Sequence, residues 1–323
     1  VEYIDIQKYG GTQAVLTRKN DEALLISSML IELGYKTRLL AGFEGFKLSK
    51  LEEIRWFGDQ LKSTTDDSGI VYENNWLDTV QEFKSKFDKN HHLQLCLDVI
   101  AKFNVAYPDN KLLVDWWEYC REIKMEDAIH AKSDSIIIST MHKSKGKEFD
   151  HVFMLVENYE FESNEAKRLL YVASTRAKES LHIHTNITFY ESIHVEDLQL
   201  SQFHGELHEP HYYELILSHK DIQLNSQKFP RSRSIITDLI TGDSLMMDVM
   251  KFGDSDAPGL SKLGEGNMLL FSRDFVSKKL KLFSGKGFEL VSARVEYIVY
   301  WYDAKEDKEY KIVLPRLRFE KSI

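Results

Sequence analysis

Two apolar runs, Ile136-Ile137-Ile138 and Val152-Phe153-Met154-Leu155-Val156, stand on either side of a polycationic stretch. Near-continuous apolar runs of this length read as strands buried on both faces. Such strands need helices above and below them, which commits this part of the chain to an α/β fold with a parallel sheet. The flanks supply the rest. "AVLT" (14–17), "DEALLISSMLIELG" (21–34) and "YKTRLL" (35–40) read as strand, helix, strand, with Gly34 as the helix stop. After the second run, "NEAKRLLYVASTRAKES" (164–180) reads as a helix capped by Ser163 or Asn164, and "LHIHT" as a closing strand.

Residues 43–130 change character. "KLSKLEEIRWFGDQL", "NNWLDTVQEFKSKF", "HLQLCLDVIAKF" and "KLLVDWWEYCREI" all carry helical spacing, with turns at "DDSG" and "YPDN". They form an expected all-helical insertion whose Trp and Leu stripes, Trp116-Trp117 included, pack a core. Residues 1–42 and 131–200 then make one discontinuous α/β domain, 201–233 a polar linker, and 234–323 a small β-rich domain. In that last region "SLMMDVMKF", "NMLLFSRDF", "ARVEYIVYWY" and "EYKIVLP" are the strand candidates, and their alternation suggests a small barrel.

The charge balance narrows the function. Lys plus Arg number 42 against 51 Asp plus Glu, a net charge of -9. That excludes a uniformly basic nucleic-acid coat but permits a local basic groove. The two cysteines, Cys96 and Cys120, lack zinc-ligand spacing and fit a reducing cytoplasm. No apolar run approaches the ~20 residues of a membrane span. The chain opens at Val1 and reads as part of a longer polypeptide.

The polycationic stretch, "TMHKSKGKEFDHVFML" (140–155), follows a buried strand, where open α/β sheets bind ligands. Gly146 allows a tight turn and close approach to a phosphate, Lys143 and Lys145 pair with phosphate oxygens, and Thr140 and His142 donate hydrogen bonds. Glu148 suits a ribose hydroxyl. A solvated charged turn has the same composition. On the following helix, Arg168, Tyr171, Thr175 and Arg176 fall in one sector, and two guanidiniums there suit a triphosphate. An Arg in such a place also serves as a surface ion pair.

"TMHKSKGKEFDHVFML" followed by "RLLYVASTRAKESL" closely resembles two successive motifs of UvrD/Rep-type superfamily-one DNA helicases. "VLTRKNDEALL" and "GFEGFKLSKLEEIRWFGDQL" are similar to further segments of that family, so the resemblance covers about residues 12–190. It implies a RecA-like domain of the P-loop NTPase type. Residue by residue, it implies that Arg176 is an arginine finger reaching the γ-phosphate, and that Gly146 and Glu148 face the nucleotide, Glu148 on its ribose. It implies that Arg18 and Asn20 touch single-stranded DNA, that Thr140, His142 and Lys143 couple the nucleotide site to that DNA track and contact it, and that Arg168 is a structural or coupling Arg, with Lys145, Tyr171 and Thr175 expected to share the coupling. Lys147 stands where the family usually has Leu, and the helical insertion is short; both lean toward RecD-like relatives.

No Gly-x-x-x-x-Gly-Lys-[Ser/Thr] occurs in the chain, so the phosphate cradle is missing. The expectation is the C-terminal half of an ATP-dependent DNA helicase or translocase. Its partners are an N-terminal RecA-like motor domain and single-stranded or partly duplex DNA. Its cofactors are ATP and Mg2+, with the Mg2+ ligands on the other half, and the chain alone is an inactive ATPase. The competing expectation is a nucleic-acid or protein-binding module that keeps the fold without the motor. A nuclease ("EYK", 309–311) and a metal site (His204, His208, His211) are weaker alternatives. The C-terminal barrel could hold a protein partner, or bind single strands through Tyr300, Tyr302 and the basic stretch 277–287.

Overall fold

A computed structural model describes residues 9–40, 46–108, 111–123, 135–157, 163–187, 190, 193, 198–201, 209–252, 255–263 and 265–322. In chain order it begins with β1 (Gln13–Thr17), α1 (Asn20–Glu32) and β2 (Thr37–Leu39). Next come α2 (Glu52–Thr64), β3 (Ile70–Val71), α3 (Glu73–Lys86), α4 (Leu93–Ala106), β4 (Lys111–Leu112) and α5 (Leu113–Glu122). The α/β pattern returns with β5 (Ile136–Thr140), β6 (Phe149–Val156), α6 (Asn164–Ser174) and β7 (Ala177–Thr185). The last part holds β8 (Tyr212–Ile216), α7 (Leu224–Gln227), α8 (Pro230–Thr237), β9 (Ser244–Phe252), β10 (Ser255–Lys262), β11 (Gly266–Leu270), α9 (Lys281–Gly285), β12 (Phe288–Asp303) and β13 (Lys308–Lys321). The chain divides into two compact units: Val1–Ala41 with Lys132–Tyr213, and Gly42–Ala131 with Glu214–Ile323.

The first unit is a five-stranded sheet in the order β2-β5-β1-β6-β7, with every ladder parallel. Successive residues of the central strand β1 point into opposite layers. Val15 packs with Ala23, Ile26 and Leu30 of α1 and with Ile136, Ile138 and Phe153. Ala14 and Leu16 pack on the other side with Ile137, Val152 and Met154, with Leu170 and Ala173 of α6, and with Met141. The apolar runs are continuous because both faces are covered.

The helix expected over 164–180 ends at Ser174, with Ser163 as its cap: the Ala166 amide donates to the Ser163 hydroxyl at 3.0 Å. "AKES" joins β7 instead, pairing Phe149 with Ala177 and continuing to Val156 with Thr185. The open edge of β6 offers a full ladder of backbone partners, which overrides the helical propensity of Ala, Lys and Glu. Thr175 and Arg176 therefore lie in the turn between helix and strand, not on the helical sector.

The second unit joins helices and strands that read from the sequence as separate domains. Its helical part is built on aromatic contacts: Phe57 meets Trp76 and Phe83 edge-on at 5.2 and 5.7 Å, and Trp116 is fully buried against Phe57 and Phe103. It is not purely helical, since Ile70 and Val71 of β3 pair with Leu112 and Lys111 of β4. Charged links tie α2 and the turn before it to the C-terminal strands. Lys50 and Arg55 reach Glu309 at 2.6 and 2.5 Å, and Lys311 reaches Glu52 at 2.6 Å. The Arg55 guanidinium also lies 4.5 Å from the Tyr300 ring, so that ring is covered, and only Tyr302 keeps the exposure expected of both.

The C-terminal sheet runs β11-β10-β9-β12-β13-β8, and isolated bridges pair Ile222 with Phe271 and Leu51 with Val299. The strand expected over 267–275 stops at Leu270, and the basic stretch 277–287 turns helical, with Phe283 stacked on Phe319 at 4.5 Å. Strand β10 escaped the sequence reading because Pro258 and Gly259 interrupt it. The stretch expected as a linker carries the end strand β8 and two short helices, although 202–208 lie outside the described residues.

Candidate functional site

The lysine loop starts where β5 ends. Thr140 is buried and level with Thr17 at the carboxyl end of β1, and the Met141 amide donates to the Thr17 carbonyl at 2.8 Å. The Thr140 carbonyl then accepts from the Lys143 and Ser144 amides at 3.0 and 3.2 Å, which coils the loop back on itself. Ser144 is fully buried and closes the turn by donating to the Met141 carbonyl at 2.7 Å. Met141 and Ser144 point inward, so His142 and Lys145 are left exposed and Lys143 half-exposed, its Nζ 3.4 Å from the Leu40 carbonyl. Gly146 has φ +82°, a left-handed conformation that favours glycine, and a Cβ there would meet nothing within 4 Å.

The loop does not stay at the carboxyl edge. Eight residues later it enters β6, whose His151 is level with Gln13, the first residue of β1. It therefore crosses one face of the sheet from edge to edge, beside α6, as its buried Met141 in the α6 layer shows. Glu148 sits exposed at the amino edge. Arg176 is at the same edge, one residue before β7, and its carbonyl accepts from the Phe149 amide at 2.9 Å.

The half-buried Arg176 guanidinium links the two motifs directly. Nε donates to the Val172 carbonyl at 2.7 Å, Nη2 to the Thr175 hydroxyl at 3.1 Å, and Nη1 to the Lys147 carbonyl at 3.1 Å. Arg168 and Tyr171 are exposed on α6, Tyr171 by 71%. At the other edge, Arg18 and Asn20 are exposed at the β1–α1 turn, where the Glu22 carboxylate accepts from the Arg18 and Lys19 amides at 3.0 Å each.

The residues singled out from the sequence thus separate into two sets. Arg18, Asn20, Thr140, His142 and Lys143 gather at the carboxyl edge; Glu148, Thr175 and Arg176 gather at the amino edge. Lys145 and Gly146 lie on the loop between. Sequence reasoning assigned nothing to Thr12 or Asp150, which meet at the amino edge: the Thr12 amide and hydroxyl donate to Asp150 Oδ2 at 2.7 and 2.8 Å. The glycine pair ahead of β1 was the available signal. Of the histidines weighed as metal ligands, His204 and His208 lie outside the described residues, and His211 Nδ1 pairs with Glu32 at 3.4 Å. Burial holds His182 below the ordinary histidine range, where its ring stacks on Phe153 at 4.7 Å. No helix among the described residues is long and apolar enough to cross a membrane.

Residues 47–188, which span α2 through β7 and both motifs, match the sequence profile of the UvrD-like helicase C-terminal domain. The chain is similar to the DNA helicase II of Rickettsia typhi, 29% identical over 153 residues that cover 42% of this chain and 21% of the relative. It is also similar to the putative ATP-dependent DNA helicase YjcD of Bacillus subtilis, 22% identical over 160 residues covering 45% of this chain and 21% of that protein. A probable DNA helicase II homolog of Rickettsia conorii is 29% identical over 152 residues, again 21% of its length. The match thus spans about a fifth of each curated relative. Within the UvrD-like stretch, the lysine loop and the α6–β7 turn carry the two motifs, and the Arg176–Lys147 bond joins them.

Proposed function

We propose that this chain is the second RecA-like half of an ATP-dependent DNA helicase or translocase. It supplies the arginine finger, Arg176, and part of the track for single-stranded DNA. The observation that carries this reading is the separation of its charged residues onto opposite edges of one sheet, with a single loop running between them. A motor needs a nucleotide edge, a DNA edge and a mechanical link. The amino edge offers a guanidinium fork and a carboxylate, Arg176 and Glu148, which suit phosphate oxygens and a ribose hydroxyl respectively. The carboxyl edge offers Arg18, Asn20, Thr140, His142 and Lys143, donors suited to a phosphate backbone.

The residues present fit only part of a nucleotide. They offer no phosphate cradle, and of the two amino-edge carboxylates Asp150 is taken up by Thr12, so the cradle and the Mg2+ ligands are assigned to a first motor domain paired with this one, and the chain alone is inactive as an ATPase. When bound, ATP and Mg2+ supply the phosphoryl chemistry. Arg176 stabilises charge on the transferring group. To do so it exchanges the Lys147 carbonyl for a phosphate oxygen. That exchange releases the amino-edge end of the lysine loop, whose other end begins at Thr140. Nucleotide state is thereby passed to the DNA edge.

The test is single-stranded-DNA-stimulated ATP hydrolysis by the full-length protein and its Arg176→Ala variant, with ATP binding measured alongside. Stimulated turnover in the parent, lost in a variant that still binds ATP, is the expected result. No stimulated turnover in the parent overturns the motor and leaves a binding module.

A further inference from the structure

Thr12 and Asp150 form a reciprocal lock at the amino edge. Besides the two bonds that Thr12 donates to Asp150 Oδ2, the Asp150 amide donates back to the Thr12 hydroxyl at 2.9 Å, and the His151 amide donates to the Thr12 carbonyl at 3.0 Å. Gly11, at φ +76°, makes room for it: a Cβ there would stand 2.5 Å from Asp150 Oδ2. The Thr12 amide and hydroxyl hold the Asp150 carboxyl below the usual carboxylate range, so it is ionised at neutral pH and remains a strong acceptor. Its other oxygen lies 3.9 Å from Lys178 Nζ.

The position of this lock matters more than its strength. Phe149 is held from the β7 side by the Arg176 carbonyl, and Lys147 by the Arg176 guanidinium until that group turns to a phosphate. Asp150 and His151 are held from the β1 side, by Thr12. Glu148 directly precedes this three-residue segment, which stays held through Phe149, Asp150 and His151, and its own side chain is exposed. A carboxylate that must meet a ribose hydroxyl gains from a backbone that cannot drift, because small misplacements cost heavily in positioned contacts.

We infer that Asp150 and Thr12 are positioning residues that aim Glu148 at the nucleotide's ribose; this rests on the amino edge being the nucleotide edge. Neither residue touches the nucleotide. Their loss shows in how well the protein recognises the sugar, beyond any general loss of folding.

The measurement is the preference for ATP over 2′,3′-dideoxy-ATP, as a ratio of kcat/KM values, in DNA-stimulated hydrolysis by the full-length protein. Glu148→Ala sets the floor by abolishing the preference. Asp150→Ala and Thr12→Val are each expected to cut it about tenfold, the worth of one well-made charge-assisted hydrogen bond. Thr12→Ser, which keeps the amide and hydroxyl donors, retains it. Thr12→Val also preserves volume and the backbone donor, so it reports even where Asp150→Ala fails to fold. Full preference in Thr12→Val, or in folded Asp150→Ala, overturns the positioning role while leaving Glu148 on the ribose. Full preference in Glu148→Ala overturns the nucleotide edge itself, and the positioning role with it.

Discussion

The two units use charge in opposite ways. In the parallel-sheet unit Arg18, Lys143 and Arg176 stand near the ends of strands, exposed or half-exposed, and the layers between are apolar. In the other unit charges are buried between elements. Arg316 holds Glu296 through two bonds of 2.7 Å and Glu214 through one of 2.9 Å, and Glu296 keeps only 5% of its side chain exposed. Burial pulls on both members of that pair, yet their mutual hydrogen bonds keep Glu296 below and Arg316 above their ordinary ranges. The same residue type therefore does different work. Arg176 spends its guanidinium on two carbonyls and a hydroxyl, whereas Arg316 spends its own on carboxylates, one of them a buried group that could not otherwise stay ionised.

The sharpest way to break this contrast is to remove one arginine from each unit. Arg176→Ala is expected to lower DNA-stimulated kcat by about a thousandfold or more, the scale of an arginine finger, with little change in thermal stability. Arg316→Ala is expected to do the reverse. It strands Glu296 in the interior, and breaking a buried pair from one side costs about 3–5 kcal/mol. Calorimetry and steady-state kinetics on both variants test the assignment together. Large stability loss in Arg176→Ala, or lost turnover with full stability in Arg316→Ala, would reverse it. Replacing Arg316 and Glu296 together by Met and Leu should restore part of the stability, because the buried Glu296 charge is gone while the more exposed Glu214 keeps Arg318 at 3.6 Å.

A second prediction sharpens the same difference through pH. Glu53 on α2 is fully buried, and burial raises its pKa from the ordinary 4.5 to about 7. Asn90 and, at 3.2 Å, Thr241 donate to Oε1, while Oε2 has no partner among the described residues. A raised folded-state pKa means that stability is fully present below 4.5 and is lost as pH climbs through about 7. The shift corresponds to about 3 kcal/mol by pH 8. Glu53→Gln mimics the protonated acid and should escape that loss. Denaturant titrations should show the two proteins similar at pH 4.5, with the variant more stable at pH 8. A constant gap across that range sinks the idea.

How much of this was legible in the sequence follows from where each signal lives. The parallel sheet was readable because continuous apolar runs have few other uses, and the four helices between β2 and β5 because their periodicity is strong. The residues at both edges were found through the two motifs and, for Arg18 and Asn20, through the segment 15–25. Their division into two edges was not, because it depends on register: only the pairing of Thr140 with Thr17 and of His151 with Gln13 shows that the loop crosses the sheet. The end of α6 was misplaced because tertiary pairing along β6 outweighed local propensity. The Thr12–Asp150 lock joins residues 138 apart, and neither partner is unusual in its own neighbourhood. The docking of helices against the C-terminal strands was hidden for the same reason, since its ion pairs join residues more than 250 apart.

The smallest expected effect bears on whether the lysine loop works through its backbone or its side chains. Gly146 sits at φ +82° with open space where a Cβ would go, so sterics against neighbours do not forbid a side chain there; only its own backbone conformation does. Ala in the left-handed region costs about 1–2 kcal/mol, whereas Asn visits that region routinely. Gly146→Ala is therefore expected to lower the Tm of the parallel-sheet unit by a few degrees, and Gly146→Asn by less. If the loop transmits nucleotide state through its coiled backbone, Gly146→Asn keeps DNA stimulation of ATP hydrolysis near the parent's, and Gly146→Ala loses some of it along with stability. If instead close approach of a bare backbone to the nucleotide is what the position requires, both variants raise KM for ATP alike, although only one of them strains the turn. The order of Asn and Ala in the kinetics thus separates a hinge from a contact surface at a loop position that belongs to neither edge.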